Sequence, residues 1–528
     1  MKKKTFFKIS IAVVVALAIL LAMNAQVFAS ISSTDTISVT VDELEEGVTA
    51  ALYQIITVNY DYTAQQPNDP EYTWNSALVS WLTGGSYSSY INTEDNSVTE
   101  SFSTMSSTDA DAFYSDLAAA IKAGEVSITA SATETAGTAE ATYANSTTTD
   151  SSVTFSSVSM GQYVVLVSGG YRIYSPVSVE VVPTYSSSEW VIGDGSEEAT
   201  NSAMTVSAKS SPVSIEKTVS SETTSFSTSD SATYTITADT IDYDENAVNT
   251  TYVITDVLGN GLSLGETITV YGVADSSTKT TLTKGTDYTL TTTTDETTGE
   301  TTITVTIINT DILSTYSSIV VEYDVTFNVG TDMDYTNTAT LTYSSDQYDP
   351  DAEDVEITNE DSEDTIVEIY FYGIEILVTD GTNYLAGAEF TLTDEEGNTI
   401  YFVEIDGVYY VVDKDYDGAS ATVTSTTSGI NIQGLSLGDY TITQTGAPDG
   451  YLVSSSTFSV TLADDNADGM LNSDTDNTYT ITITLSDGFS LPTTGVIGTT
   501  IFVATGVVLV VAGLSIMVIS SKKKKNNA

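Results

Sequence analysis

A two-residue alternation of polar and apolar side chains runs through most of this chain and restricts what it can fold into. Thr233-Tyr234-Thr235-Ile236-Thr237, Thr302-Ile303-Thr304-Val305-Thr306 and Val320-Val321-Glu322-Tyr323-Asp324-Val325 each put one apolar face inward. Gly, Asp and Asn turns separate such runs, as in β-sandwiches. The fold class is all-β, with tandem Ig-like sandwiches. About 465 residues between the apolar ends are too many for one core and suit three domains.

The two ends are read separately. Val496 to Ile519 is an uncharged run of 24 residues, roughly 36 Å as a helix against a hydrocarbon core of about 30 Å. A transmembrane helix is expected over 496–520. A basic tail, 521–528, with Lys522 to Lys525, stays on the cytoplasmic side. At the other end Lys2, Lys3, Lys4 and Lys8 precede a shorter apolar stretch, and Val27-Phe28-Ala29 offers small residues for cleavage. Residues 1–29 read as a secretory signal peptide, so the mature chain runs from Ser30 to Thr494. Leu491-Pro492-Thr493-Thr494-Gly495 resembles the LPxTG cell-wall sorting signal of Gram-positive bacteria. The resemblance implies that a sortase cleaves after Thr494 and passes the acyl group to an amine.

Only Lys122, Arg172, Lys209, Lys217, Lys279, Lys284 and Lys414 remain basic in the mature chain, against 72 acids, a net charge of −65. Nothing there neutralises phosphates, so nucleic acid is excluded as a partner. The chain has no Cys and no His. That removes disulfides, most hydrolase triads and most zinc sites. An ordinary enzyme is not expected, and no cofactor is.

The first domain, 34–207, opens with Ile37-Ser38-Val39-Thr40-Val41. One helix interrupts it: Ser107, Thr108 and Asp109 offer capping oxygens for Ala110 to Lys122, Phe113, Leu117 and Ile121 share a stripe, and Gly124 stops it. Met160 to Val167 and Val177 to Val182 return to strand. This order resembles the N-terminal domain of Gram-positive backbone pilins. The motif lysine of that family, often written YPK, is missing where Val181-Val182-Pro183-Thr184 stands. A Ser-, Gly- and Glu-rich linker, 186–211, contains Lys209, which reads either as the amine that attacks the next subunit's Thr494 acyl group or as a solvated linker lysine.

The second domain, 212–360, starts with Ile215-Glu216-Lys217-Thr218-Val219, continues through Tyr252-Val253-Ile254-Thr255-Asp256, and ends on Tyr335-Thr336-Asn337-Thr338-Ala339-Thr340-Leu341. It resembles the fimbrial isopeptide-formation D2 domain. The resemblance implies a bond between Lys217 on the first strand and Asn337 on the last, catalysed by the acid Asp256. Burial would favour a neutral amine and a protonated carboxyl, the two forms the reaction needs.

The third domain, 364–488, resembles a collagen-adhesin B-type (Cna-B) module through Leu385 to Leu392, Gly434 to Tyr440 and Ala447-Pro448-Asp449-Gly450-Tyr451. The cross-linking positions of that family fall at Val378, Gln444 and Leu485, so no isopeptide bond is expected there. Asp413 to Gly418 and Asp464 to Gly469 copy half of an EF-hand loop but lack its closing Glu, with Thr424 and Thr475 in its place. No metal is assigned.

The combined reading is a structural subunit, a shaft pilin of a sortase-assembled, wall-anchored fimbria, secreted and stiffened by one internal amide. Its expected partners are sortase, other pilin subunits, a peptidoglycan precursor, and the membrane through the C-terminal helix before sorting. The alternative is a single-copy surface adhesin, anchored through Thr494, that binds a host ligand.

Overall fold

The computed structural model describes residues 31–137, 151–186, 189–193, 203–220, 225–244, 247–274, 278–359, 369–465, 469–472 and 477–486. The signal peptide, the Leu491 to Gly495 motif, the expected membrane helix and the basic tail lie outside the described residues. No helix among those described is long and apolar enough to cross a membrane. Strands dominate, and the chain falls into two compact units, one holding residues up to 225 and 229–369, the other 226–228 and 370 onward.

In the first unit, strand Ile37–Leu44 lies between Ser151–Val158, antiparallel, and Met204–Ser207, parallel. It buries Ile37, Val39 and Val41 and exposes their neighbours to varying degrees, the pattern of a sheet with one wet face. A larger sheet runs Gln66–Trp74, Thr49–Asp61, Gly161–Ser168, Val177–Ser186, Glu189–Gly193. The helix Ser107–Lys122 buries Phe113, Leu117 and Ile121 as its spacing predicts. Its N-cap is Ser106, just before the three capping residues expected. Asp109 completes a capping box with Ser106. Gly124, at φ +74°, donates to the Ile121 carbonyl and ends it.

The same unit contains a sandwich of two five-stranded sheets. One is ordered Ile215–Val219, Ser231–Asp239, Ser318–Phe327, Leu262–Val273, Lys279–Thr281. The other is ordered Tyr288–Thr294, Thr301–Ile307, Tyr252–Leu258, Asn337–Tyr343, Val355–Thr358. The strand bearing Asn337 is therefore not the last, because Val355–Thr358 follows it and pairs antiparallel with Thr340 to Tyr343.

Apart from 226–228, residues 34–207 and 212–360 fall within one compact unit, and Tyr348 packs in the same core as Phe113 and Leu117. Polar contacts add to this. Ser115 and Tyr348 both donate to Asp244, Lys122 pairs with Asp346 at 2.8 Å, and Tyr343 donates to the Tyr171 carbonyl. The stretch 186–211 is also more than a linker, since Met204–Ser207 pairs with the first strand and Ser210–Ser211 with Ile173–Tyr174.

The second unit pairs a sheet ordered Tyr401–Ile405, Val408–Val412, Ile430–Leu435, Tyr372–Thr379, Thr478–Thr484 with one ordered Val423–Thr424, Glu389–Thr393, Gly438–Gly446, Thr457–Leu462. Its core includes Ile374, Ile376, Phe390 and Ile442. Residues 226–228, which the sequence reading gives to the second domain, belong to this unit. Thr228 donates its backbone N–H to Gly434 and its hydroxyl to Val411, both at main-chain oxygens.

Candidate functional site

The alternation that builds the first unit's sandwich puts three polar side chains where apolar ones belong. On Ile215–Val219 the inward positions are Ile215 and Lys217; on Tyr252–Leu258 they are Tyr252, Ile254, Asp256 and Leu258; on Asn337–Tyr343 they begin with Asn337 and Ala339. Lys217 is 0 % exposed, Asp256 1 % and Asn337 7 %. Lys217 comes from one sheet, opposite Ile236, and the other two from the facing sheet, where Asn337 pairs with Leu258 and Asp256 with Ala339. The three sequence-predicted residues thus meet in one buried cluster, with no main-chain bond between the strands of Lys217 and Asn337.

Lys217 Nζ donates to Asp256 Oδ1 in a buried ion pair. The other carboxylate oxygen accepts from the Tyr323 hydroxyl. Tyr323 in turn accepts from Asn337 Nδ2 at 2.8 Å. Tyr234 stacks on Tyr323 with ring centroids 5.8 Å apart, and Lys217 Nζ lies 5.0 Å from the centre of the Tyr234 ring. Asn337 Oδ1 is buried with no hydrogen-bond partner. Sequence reasoning missed both tyrosines. Each sits at an inward strand position, where a tyrosine reads as ordinary core.

Burial governs the electrostatics. It pulls the Lys217 ammonium down to about 8, and the Asp256 carboxylate opposes that shift without cancelling it. Burial pushes Asp256 up, against the pull of Lys217 and the hydrogen bond from Tyr323. Both shifts favour the neutral pair, an amine beside a carboxylic acid. Such a cluster is costly unless it is used, since taking each ion out of water costs on the order of several kcal/mol.

Lys209 is exposed, between Met204–Ser207 and Ser210–Ser211. Its carbonyl accepts from the Ser175 N–H at 3.0 Å, and its charge lowers the neighbouring Asp111, whose carboxyl burial raises overall. The backbone there is pinned while the amine reaches solvent. Val181 to Thr184, where the motif lysine of the resembled family falls, is buried strand that an outside acyl donor could not reach. In the second unit Val378 and Leu485 are core residues. Gln444 accepts from the Ser454 N–H and donates to the Gly446 carbonyl, both at 2.8 Å. These three positions hold no amine and no acid. In the acidic loops, Asp413 caps the Asp415 N–H, and Asp464 accepts from Tyr372 and Gly469.

Two parts of the chain match known families. Residues 373–477 match the SpaA prealbumin-like fold domain, and residues 486–527 match the LPXTG cell wall anchor motif. The chain therefore carries a cell-wall anchor, and its place is the Gram-positive cell surface. No curated protein matches it by sequence. Among solved structures it is similar in fold to the T6 backbone pilin of serotype M6 Streptococcus pyogenes, at 19% identity over 82% of this chain and 81% of that one, with a TM-score of 0.50. The full-length major pilin SpaD of Corynebacterium diphtheriae aligns at 16% identity over 87% and 99% of the two chains, with a TM-score of 0.44.

The pair's two shifts give stability a definite pH dependence in an Asn337→Ala chain, which has no carboxamide for Lys217 to attack. Folded Lys217 releases its proton at about 8 and unfolded Lys217 near 10.5. Between these values the unfolded chain binds more protons, so stability rises with pH. Asp256, raised from 3.8, has the opposite sign, and its contribution falls as pH rises from that value. The buried tyrosines Tyr234, Tyr323 and Tyr343, all raised above 10 by desolvation, pull the other way near pH 10. The comparison is therefore with Asn337→Ala combined with Lys217→Met, which keeps them. Across pH 8 to 10 the denaturant midpoint of Asn337→Ala should climb relative to that double variant. A difference that stays flat or falls contradicts the assignment.

Proposed function

We propose that this chain is the polymerising shaft subunit of a wall-anchored fimbria, braced internally by an amide between Lys217 and Asn337. The observation that carries the reading is the buried cluster of Lys217, Asp256 and Asn337 on a chain that bears a cell-wall anchor. In the internal reaction the neutral Lys217 amine attacks Cγ of Asn337. The Nζ–Cγ bond forms, the Cγ–Nδ2 bond breaks, and nitrogen leaves as ammonia, with Asp256 as the acid that carries the protons. The chain is a single-turnover participant in this step and a substrate for sortase in the next.

For assembly, Thr494 of one copy is transferred to an amine of another, with Gly495 leaving at the head of the membrane segment. The last subunit is passed to a peptidoglycan precursor. Few amines qualify as acceptor. Lys217 is buried, and Lys122, Lys279 and Lys414 are held in ion pairs with Asp346, Glu322 and Asp415. Lys209 and Lys284 are exposed and form no ion pair among the described residues. Lys209 is favoured because both flanking segments are strand-paired, which presents it from a fixed backbone. The T6 backbone pilin has a modular three-domain structure, and the same division at about 207 and 364 suits this chain, with the first two modules docked.

The cross-link is tested on the intact exported chain. Its mass should be one ammonia below the sequence value, and Lys217→Ala or Asp256→Ala should restore the full mass. A wild-type chain at full mass contradicts the bond. Polymerisation is tested by running boiled wall extract on a denaturing gel. The wild type should give a ladder that Lys209→Ala collapses and Lys284→Ala leaves. A single discrete band in the wild type contradicts the shaft and supports a singly anchored adhesin.

A further inference from the structure

Resting on the proposed cross-link, we infer that the Tyr323 hydroxyl is the proton relay between Asp256 and the nitrogen that leaves Asn337. The geometry separates two jobs that a carboxyl in direct contact with both partners would do alone. Asp256 touches Lys217 through Oδ1, and its only hydrogen bond toward Asn337 passes through Tyr323, which donates to Oδ2 and accepts from Nδ2 at 2.8 Å. A departing amide nitrogen must gain a proton, because an amide anion is far too basic to leave. In this site the Tyr323 oxygen is the atom that reaches that nitrogen and the acid together.

The steps balance as follows. Lys217 gives one ammonium proton to Asp256, and its neutral nitrogen attacks Cγ, moving the carbonyl electron pair onto Oδ1 of Asn337. A half-turn of the Asp256 carboxyl presents the acquired proton to the Tyr323 oxygen, whose own proton passes to Nδ2. Asp256 then takes a second proton from Nζ, the carbonyl re-forms, and Cγ–Nδ2 breaks. Ammonia leaves neutral, Tyr323 regains its original state, and Asp256 ends protonated. Tyr323 is well placed to stay a neutral phenol between transfers. It is buried, 2 % exposed, beside the acid and under the ring of Tyr234.

The test follows cross-linking of the full chain in time, by stopping cell-free synthesis at intervals and reading intact mass. Tyr323→Phe keeps the ring and removes the hydroxyl, and should slow ammonia loss by about a hundredfold or more, the usual scale for a lost acid–base group. Equal melting of Lys217→Ala and of Lys217→Ala combined with Tyr323→Phe shows that the fold is not the cause. Fluorinated tyrosines placed at 323 supply the second readout: a relay makes the rate follow phenol acidity, while a residue that only positions Asn337 leaves it constant. If Tyr323→Phe cross-links as fast as wild type, or the fluorinated series is flat, the relay is overturned and the bond itself stands. If the wild type never becomes light, the cross-link reading fails instead.

Discussion

An ammonium and a carboxylate sealed between two apolar sheets are the constraint on which this structure turns. Desolvating both ions costs several kcal/mol each, and their attraction offsets that only when geometry and further hydrogen bonds are good. Here the carboxylate has one extra donor, Tyr323, and the ammonium has only the acid and the face of Tyr234. The pair relieves its cost by moving toward neutrality, which is the state in which an amine attacks a carboxamide. An arrangement that would be a liability as a permanent ion pair makes physical sense as a precursor that is consumed.

Topology shows what such a bond would add in this sandwich, while in the second unit the matching positions hold Val378, Gln444 and Leu485, with no amine or acid to react. In the second unit Tyr372–Thr379 and Thr478–Thr484 lie side by side in one sheet, parallel, joined by a continuous ladder from Gly373 to Thr484. Side-by-side strands with a shared ladder resist load together. In the first unit the strands of Lys217 and Asn337 lie in different sheets, and no backbone ladder links them. A side-chain amide is what can join them. It would close a loop of 119 residues, worth on the order of 4–5 kcal/mol if treated like a disulfide of that span. Val355–Thr358 falls outside this loop and is held by its ladder with Thr340 to Tyr343 and by the buried Ile357.

Much of this was legible in the sequence. Lys217, Asp256 and Asn337 are carried over from the resemblance to the D2 domain, and alternation adds only that each falls at an inward strand position. Tyr323 does not stand out, because its role depends on cross-strand register with Tyr234 and on what the opposite sheet places beneath it. The docking of 34–207 onto 212–360 was equally invisible. It is made by Tyr348 joining a core with Phe113 and Leu117 and by Lys122 meeting Asp346, pairs far apart in sequence that leave no local pattern. The Ser-rich composition of 186–211 suggested a free linker, yet β-pairing by Met204–Ser207 and Ser210–Ser211 needs only backbone groups, which composition does not report. The helix starts at Ser107, three residues before Ala110, because Ser106 and Asp109 close the capping box; Thr108 has Asp111 at the same spacing, so the sequence does not choose between them.

The central claim concerns a single covalent bond, and peptide mapping of the exported chain addresses it most directly. Digestion followed by fragmentation mass spectrometry should recover one branched peptide in which Nζ within Ile215–Val219 is joined to Cγ of Asn337. Recovery of two linear peptides, one with a free Lys217 amine and one with an intact Asn337 carboxamide, would contradict the account.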